Sequence, residues 1–574
     1  MKPFTTLLLT CILIVLNVPL CKAQHTELKP HEAAMQLWVE GKPFLMIGGE
    51  LGNSSATCPE DIERIFPKLK RIGLNTVLVP AYWELTEPEE YKWDFALTDK
   101  VLAEARKNGL KVVFLWFGAW KNSMSCYAPS WVKQDYKRFP RARTQAGKPL
   151  EIVSAFSSNL LEADRKAFGQ WMKHLKETDQ DQGTVIMVQV ENEIGMLEDA
   201  RDYSNEANRA FRQDVPQQLV EFLQQHQKAL HPSLLQKWEA QGCPQQGDWQ
   251  EMFGKDLYTD EIFMAWHYAS YVEQMAQTAR SIYNLPLYVN AAMNSRGRKP
   301  GEYPSADPLA HLMDIWHCAA PSIDLLAPDL YDSGFKDWVK QYHCPTNPLF
   351  IPEIKLEDND GVRAFYAFGE HDALGFSPFS IEDYTDSAQA PLAQSYHTLQ
   401  QLTPLITRYQ GSGKMRGLLF DRQDKEKVLN FEKLTLTCRH YFTLPWDARA
   451  KQDNWPEGGG IVIQTNEKEF IVAGRGIVIE FATDSEARQQ QAARTALGED
   501  GFAAAGSGKE SSDKTPNFRG TRCGLESVEQ VKVGPDGTLT PIRRLNGDQT
   551  HQGRHVRIEV DSFKILRVRL YEYK

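Results

Sequence analysis

Between Phe44 and Phe376 the chain repeats one local pattern eight times: a short run rich in Val, Ile, Leu and Phe, a polar or acidic residue at its C-terminal end, then a helical stretch. The runs are FLMIG (44–48), NTVLV (75–79), KVVFLW (111–116), TVIMVQV (184–190), PLYVN (286–290), IDLLA (323–327), PLFIP (348–352) and ALGF (373–376). Strands separated by helices pair in parallel, because a crossover must return the chain to the same end of the sheet. A strand that is apolar over most of its length is buried on both faces. Eight such units close most economically as a (β/α)8 TIM barrel, and barrels of this kind carry their active sites at the C-terminal rim of the strands.

At 574 residues the chain exceeds the size at which one core stops growing. After about Gly411 the period changes from helical to two, in GIVIQTNEKEFIVAGRGIVIEFAT, VEQVKVGPDGTLTPIRRL and HVRIEVDSFKILRVRLYEY. Alternation with DG and NG turns predicts a C-terminal antiparallel β-sandwich. An Ala/Gly/Ser-rich stretch over 485–515 interrupts it and is expected to be a mobile loop. The helix-rich segment from Asp199 to Asn284 is a long connection of the sort that shapes a barrel's cleft. The expected organisation is a leader at 1–23, a barrel at 24–410 and a sandwich at 411–574.

The N-terminus has the pattern of a secretory signal: Lys2, an apolar run from Leu7 to Leu20, and Ala23 before Gln24. The run is shorter than the roughly 20 residues that span a bilayer. Val18-Pro19-Leu20 lacks the small residue expected before a lipidated cysteine, so Cys21 does not read as a lipid anchor. Export to the periplasm or the extracellular medium is expected, with no stable membrane insertion. Seven of the nine cysteines follow the leader, without a CxxC pair or zinc spacing, which reads as free thiols with room for one isolated disulfide. No metal or cofactor is implied. A net charge of −10 without a basic stripe argues against a nucleic-acid partner.

VQVENEIG at 188–195 delivers Asn192 and Glu193 to the rim of the fourth strand, and a period of two puts Gln189, Glu191 and Glu193 on one face. A carboxyl buried at a strand end has a raised pKa, which suits a general acid near neutral pH. Glu191 reads instead as the partner of a neighbouring Lys or Arg. PLFIPEIKLED at 348–358 presents Glu353 after the seventh strand, while Glu357, Asp358 and Asp360 read as solvated. Two carboxyl groups across a barrel mouth suit cleavage of a glycosidic bond. Tyr82, Trp83, Trp116, Trp120, Tyr331 and Phe379 near strand ends are candidate sugar-stacking rings. Glu50, Glu84, Lys121 and Asn122 are candidate hydroxyl binders, and Glu87 reads as structural.

GLNTVLVPAYWELTEPEEYKWDF (73–95) and VQVENEIG resemble the second-strand and acid/base blocks of glycoside hydrolase family 35 β-galactosidases, with similarity over roughly residues 36 to 400. The resemblance implies that Glu193 is the acid/base, Asn192 binds the sugar 2-hydroxyl, Glu353 is the nucleophile and the Tyr331 hydroxyl orients it. Departures fall in the loops: GGELGNSS follows the first strand in place of Ser-Ile-His-Tyr, and WFGAWKNSM stands where many relatives carry Arg-Pro-Gly-Pro-Tyr. This pattern is similar to a bacterial subgroup acting on plant cell-wall side chains, including galactosylated xyloglucan. The expected activity is exo-acting, retaining hydrolysis of terminal β-D-galactosyl residues from an oligosaccharide or polysaccharide. The alternatives are another sugar (β-glucoside, β-glucuronide or α-L-arabinopyranoside) and a glycan-binding protein on an inactive barrel.

Overall fold

In the computed structural model, residues 26–294, 296–444, 446–493 and 519–574 are described. The expected leader at 1–23 lies outside them. All eight expected barrel strands form: β1 (Met46–Ile47), β2 (Thr76–Tyr82), β3 (Lys111–Phe117), β4 (Val185–Val190), β5 (Leu287–Ala291), β6 (Leu325–Leu330), β7 (Ile351–Ile354) and β8 (Gly375–Pro378). Their order in the sheet is β1-β8-β7-β6-β5-β4-β3-β2, and every pairing in it is parallel.

The seam between β1 and β2 closes the barrel. Leu78 N donates to Gly49 O at 2.9 Å, Leu51 N to Leu78 O at 3.0 Å, and Glu50 N to Pro378 O of β8 at 2.9 Å. Asn75 clamps the lower end of the seam. Its Oδ1 accepts from Ile47 N at 2.9 Å, and its Nδ2 donates to Leu45 O at 2.8 Å. The first apolar run proves to be two elements. Lys42–Phe44 belongs to a three-stranded antiparallel sheet with Glu27–His31 and Ala34–Val39, and the barrel strand begins only at Met46. Continuous apolarity across residues 44–48 hides that change of sheet.

The helices bury one face against this sheet. In Pro59–Ile72 the buried residues are Ile62, Ile65, Phe66, Leu69 and Ile72, at helical spacing. Gly73 ends that helix in the left-handed conformation at φ 102°. The long connection after β4 holds five helices, the last of which, Leu257–Ile282, packs on Ser158–Asp179 and Met313–Ala319.

Beyond helix Pro391–Tyr409 the strands are antiparallel, in a six-stranded and a four-stranded sheet. The strands Gly458–Asn466 and Glu469–Arg475 send Val462, Phe470 and Val472 into the core between the two sheets. Their alternate residues Ile461, Ile463, Ile471 and Ala473 join the barrel core beside Val362 and Phe365. The six-stranded sheet is therefore covered on both faces. The insertion departs from expectation: Asp484–Ala493 is helical, and its Glu486 carboxylate accepts from Cys523 N at 3.0 Å and Arg522 Nε at 2.8 Å. Glu, Arg, Gln and Ala are strong helix formers, and they decide the local structure here despite the low complexity of the stretch as a whole. The rest of the 485–515 stretch lies outside the described residues.

The seven described cysteines are free, with Cys318, Cys438 and Cys523 buried. Among the described residues no helix is long and apolar enough to cross a membrane.

Asn75→Ala removes both side-chain bonds of the seam and leaves an N–H and a C=O unpaired. The expected loss is on the order of 2–4 kcal/mol, read as an apparent Tm lower by roughly 5 °C or more. An unchanged Tm in a thermal scan would show that the seam closes without the clamp.

Candidate active site

The site begins where β4 ends. Glu191 (φ 61°) and Glu193 (φ 45°) both adopt the left-handed conformation, which costs a non-glycine residue roughly 1–2 kcal/mol. The period of two therefore stops at Val190, and Gln189, Glu191 and Glu193 do not share a face. Glu191 turns to Asp164 of helix Ser158–Asp179, an acid where a Lys or Arg partner was expected.

Glu191 and Asp164 form a buried pair of acids. Trp120 N donates to Glu191 Oε2 at 2.8 Å. Trp116 Nε1 donates to Asp164 Oδ1 at 3.0 Å, and Tyr271 OH to Asp164 Oδ2 at 2.9 Å. Burial, then the neighbouring Asp164, holds the Glu191 carboxyl well above the usual range, and burial raises Asp164 as well. Two acids so placed share a proton. A Cβ on Gly118 would lie 2.6 Å from Glu191 Oε1 and 2.4 Å from Trp116 Nε1, so only glycine lets the β3 loop pass this close.

Glu193 faces into the barrel. Its N–H donates to Asn290 Oδ1 at 3.1 Å, and Ser123 N donates to its carbonyl at 3.0 Å. Asn122 Nδ2 donates to Glu193 Oε2. Glu353, expected just beyond β7, is the third residue within it, and its Oε1 accepts from the Tyr331 hydroxyl. Asp329 of β6 is its register partner and accepts from Asn290 Nδ2 at 2.6 Å. Carboxylate oxygens of Glu193, Asp329 and Glu353 lie within 4.8 Å of one another.

Glu50 and Lys121 complete the cluster, both buried. Lys121 faces Glu193, Glu353, Glu50 and Asp329, and their charges keep its ammonium above its usual pKa despite burial. Burial raises the Glu193 carboxyl to about 7, with Lys121 pulling it down and Glu353 pushing it up. Burial and then Glu353 push both Glu50 and Asp329 well above the carboxylate range. Around them, Asn192 Oδ1 and Nδ2, both amide atoms of Gln189, Tyr288 OH and Glu353 Oε2 are buried without a protein partner. Such groups are costly unless something else bonds them, and a polyhydroxylated ligand supplies both donors and acceptors.

The structure thus brings together Asn192, Glu193, Glu353, Tyr331, Glu50, Asn122 and Lys121. Other candidates stand apart. Trp120 is fully buried, with its ring edge-on to Tyr268 (5.5 Å) and Tyr271 (4.8 Å), so it forms a wall, not a stacking platform. Tyr82 packs on Phe117 and Tyr127. Glu84 pairs with Lys133 at 3.1 Å. Trp116 is turned to Asp164. Glu87 is structural, accepting from Trp83 Nε1 and Tyr91 N. Asp360 is not solvated: it is buried near Arg363, with its carboxyl pushed up to about 7 by burial. Asp329 and Asn290 escaped the sequence reading, although each is a polar residue in a strand buried throughout.

The shared proton has a consequence for stability. A carboxyl whose folded pKa lies above its unfolded value contributes stability that is full below the unfolded pKa, about 4.3 for Glu, and is lost as pH rises through the folded pKa. Glu191→Gln removes that titration. The fall in Tm from neutral to alkaline pH should then be shallower in Glu191→Gln than in the parent. Parallel Tm–pH profiles would show that the pair does not titrate on folding.

Residues 36–256 match the family model described as Glycosyl hydrolases family 35, and residues 392–557 match a domain of unknown function (DUF5597). Beta-galactosidase 8 of Oryza sativa subsp. japonica is 28% identical over 201 residues, 33% of this chain and 28% of that protein. Beta-galactosidase-1-like protein 3 of Homo sapiens is 29% identical over 180 residues, 30% of this chain and 25% of that protein. The aligned part thus spans about a quarter of either relative. A crystal structure of β-galactosidase from the psychrophilic Marinomonas ef1 aligns with a TM-score of 0.43 at 14% identity, over 63% of this chain and 60% of that one. The family match contains Asn122, Asn192 and Glu193 but ends before Glu353, whose place beside them is given by the barrel geometry. Over residues 36–256, the first half of the barrel and its acid-bearing β4 loop, the chain is similar to glycosyl hydrolases family 35.

Proposed function

We propose that this chain is an exo-acting, retaining β-galactosidase that removes terminal β-D-galactosyl residues from plant cell-wall oligosaccharides, galactosylated xyloglucan among them, after export from the cell. The observation that carries the reading is the facing pair Glu193 and Glu353, with oxygens within 4.8 Å, at the C-terminal rim of a family 35 barrel. Nearest oxygens at this range fit the about 5–5.5 Å carboxyl spacing of a double displacement. Each is only 4% exposed, which favours a pocket entered by a chain end over an open cleft.

In this scheme Glu193, protonated near neutrality, gives its proton to the glycosidic oxygen while a Glu353 oxygen bonds to the anomeric carbon and the C–O bond to the leaving group breaks. Ionised Glu193 then takes a proton from water, whose oxygen attacks the anomeric carbon and releases Glu353. The sugar leaves with its β configuration, and Glu193 is protonated again. Tyr331 holds Glu353 through Oε1. The unpartnered amide of Asn192 suits the 2-hydroxyl, and Glu50 and Asn122 are the candidates for the axial 4-hydroxyl that distinguishes galactose. The leader-like sequence at 1–23 supports export. An inactive glycan-binding barrel has no use for two desolvated acids oriented in this way.

Hydrolysis of aryl β-galactosides tests the reading, with aryl β-glucosides, β-glucuronides and α-L-arabinopyranosides as competitors. Proton NMR should show the β-anomer released first, and the galactoside should be preferred by about 100-fold or more. First release of the α-anomer would overturn the double displacement. Glu353→Ala should lower kcat by at least about 10⁴-fold on every substrate. Glu193→Ala should spare glycosylation by activated aryl galactosides and slow deglycosylation, which azide restores as a glycosyl azide. If azide leaves Glu193→Ala unchanged, the acid/base is another residue.

Burial first, and then the charge of Lys121, set the pH profile. Activity needs protonated Glu193, so kcat/KM should fall on the alkaline side with an apparent pKa near 7. Lys121 favours the ionised form, so in Lys121→Met the proton is held to higher pH. That limb should move up by about one unit. A limb that stays in place, or moves down, would detach the lysine from Glu193.

A further inference from the structure

We propose that Asp329, clamped by Asn290, is a positioning residue for Glu193, a role that rests on the β-galactosidase reading. It is a neutral carboxylic acid whose O–H donates to the Glu193 carboxylate left behind when the leaving group takes the proton.

Asn290 fixes the geometry. A backbone N–H only donates, so the Glu193 N–H must meet the amide oxygen of Asn290, as it does at 3.1 Å. Glu193 is left-handed at φ 45° and lies beyond the last residue of β4, so its N–H is outside the strand ladder and depends on this bond. With Oδ1 so used, Nδ2 of Asn290 turns to Asp329, whose Oδ2 accepts at 2.6 Å. One side chain of β5 thus spans the backbone of one acid and the carboxyl of another.

Oδ2 of Asp329 is committed as an acceptor, which leaves Oδ1 to carry a proton. Oδ1 is buried and receives no hydrogen bond from the described residues. Its surroundings are acids: Glu193 lies within hydrogen-bonding reach, and Glu353 is its register partner on β7. Two ionised carboxylates have only acceptors to offer each other and repel. A neutral Asp329 converts that contact into an O–H···O⁻ bond, the short, charge-assisted kind.

The groups that face Asp329 favour this state. They are Glu193 from the β4 loop, Glu353 from β7, Glu50 beyond β1, Lys121 beyond β3, and the hydroxyls of Tyr288, Tyr331 and Tyr342. Three acids outnumber one ammonium, and burial followed by Glu353 holds the Asp329 carboxyl well above the usual range. Asp329 keeps its proton throughout, while Glu193 gives one to the glycosidic oxygen and regains one from water. Its hydrogen bond is strongest when Glu193 is ionised, which makes Glu193 the better acid.

The test is the pH profile of kcat/KM on an aryl β-galactoside for the whole protein, Asp329→Asn and Asp329→Leu. In Asp329→Asn the amide oxygen still accepts from Asn290 and the amide N–H donates to Glu193. Its alkaline limb should stay within about 0.3 unit of the parent, with kcat within about fivefold. Asp329→Leu removes the donor, so the limb should rise by about one unit and kcat fall by about 10- to 100-fold. A limb about one unit lower in Asp329→Asn would mean that the parent carries a negative charge there, and a limb unmoved in Asp329→Leu would leave it a filler; either result overturns the proposal. Infrared difference spectra of the parent minus Asp329→Asn, taken at neutral pH without substrate, should show a neutral-carboxyl C=O band that shifts in heavy water. Carboxylate bands in its place overturn the proposal. This spectrum decides the matter where Asp329→Leu does not fold, and also where the parent cleaves no β-galactoside, an outcome by which the functional reading fails separately.

Discussion

Lys121 faces four buried carboxyl groups, Glu50, Glu193, Asp329 and Glu353. Full ionisation of these five groups would leave three uncompensated negative charges in a space where charges a few ångströms apart interact at several kcal/mol even with an effective dielectric of about 20. The site therefore retains protons at neutral pH, and the lysine sets how many. Glu193 sits between the extremes, with a carboxyl near 7, because its burial is partly offset by the ammonium. Glu50 and Asp329, held well above the carboxylate range, take the neutral form first.

The lysine is in turn a consequence of what holds its loop. Lys121 is preceded by Trp120, whose N–H is bound by Glu191, and Glu191 is held against Asp164 in the layer behind the strands. The two buried acids differ in kind: Glu193 faces Lys121, Glu353 and Asp329, whereas Glu191 is packed among Trp116, Gly118 and Asp164. Alternation of left-handed and ordinary backbone over 191–193 separates them by face. The strain of that segment is stored where the polar groups converge, which is where strained backbone concentrates in enzymes.

Much of this was legible before the structure. Strand location needed only apolar runs bounded by helices, and the acids at 193 and 353 stood out as polar residues at strand ends. Tyr331 came from family resemblance and not from its local sequence. What could not be read has a common physical cause, since periodicity describes regular backbone only. It placed Glu191 beside Glu193 because nothing in VQVENEIG marks two non-glycine residues as left-handed. It fused Phe44, the last residue of the strand Lys42–Phe44, with β1, because an apolar run does not show which sheet it joins. Asp329 and Asn290 were overlooked because a lone polar residue within an apolar strand gains meaning only from neighbours 39 positions apart in the chain. Trp120, Tyr82 and Glu84 lie near the rim as expected. Their direction depends on packing partners from distant segments.

The sandwich completes the argument, because it is not an appendage to this barrel. Its six-stranded sheet loses one face to the helix that comes after Glu353, through Val362 and Phe365. Phe563 stacks on Phe365 at 5.4 Å, and a Cβ on Gly361 would already lie 3.2 Å from its ring. Arg363 makes a bidentate pair with Glu457 at 2.9 and 3.0 Å while its other arm reaches Glu357 at 3.1 Å. Arg475 donates to Asp358 O at 3.1 Å, and Glu457 N to Asn359 Oδ1 at 3.3 Å. Both ends of the short loop that leaves β7 are therefore fixed, one by the barrel and the other by the second sheet system. A planar, bidentate arginine pair restricts orientation as well as distance. The segment matched as a domain of unknown function thus contributes half of the frame that holds the β7 loop next to Glu353. The apolar face it would expose on its own is the same face that fixes that loop.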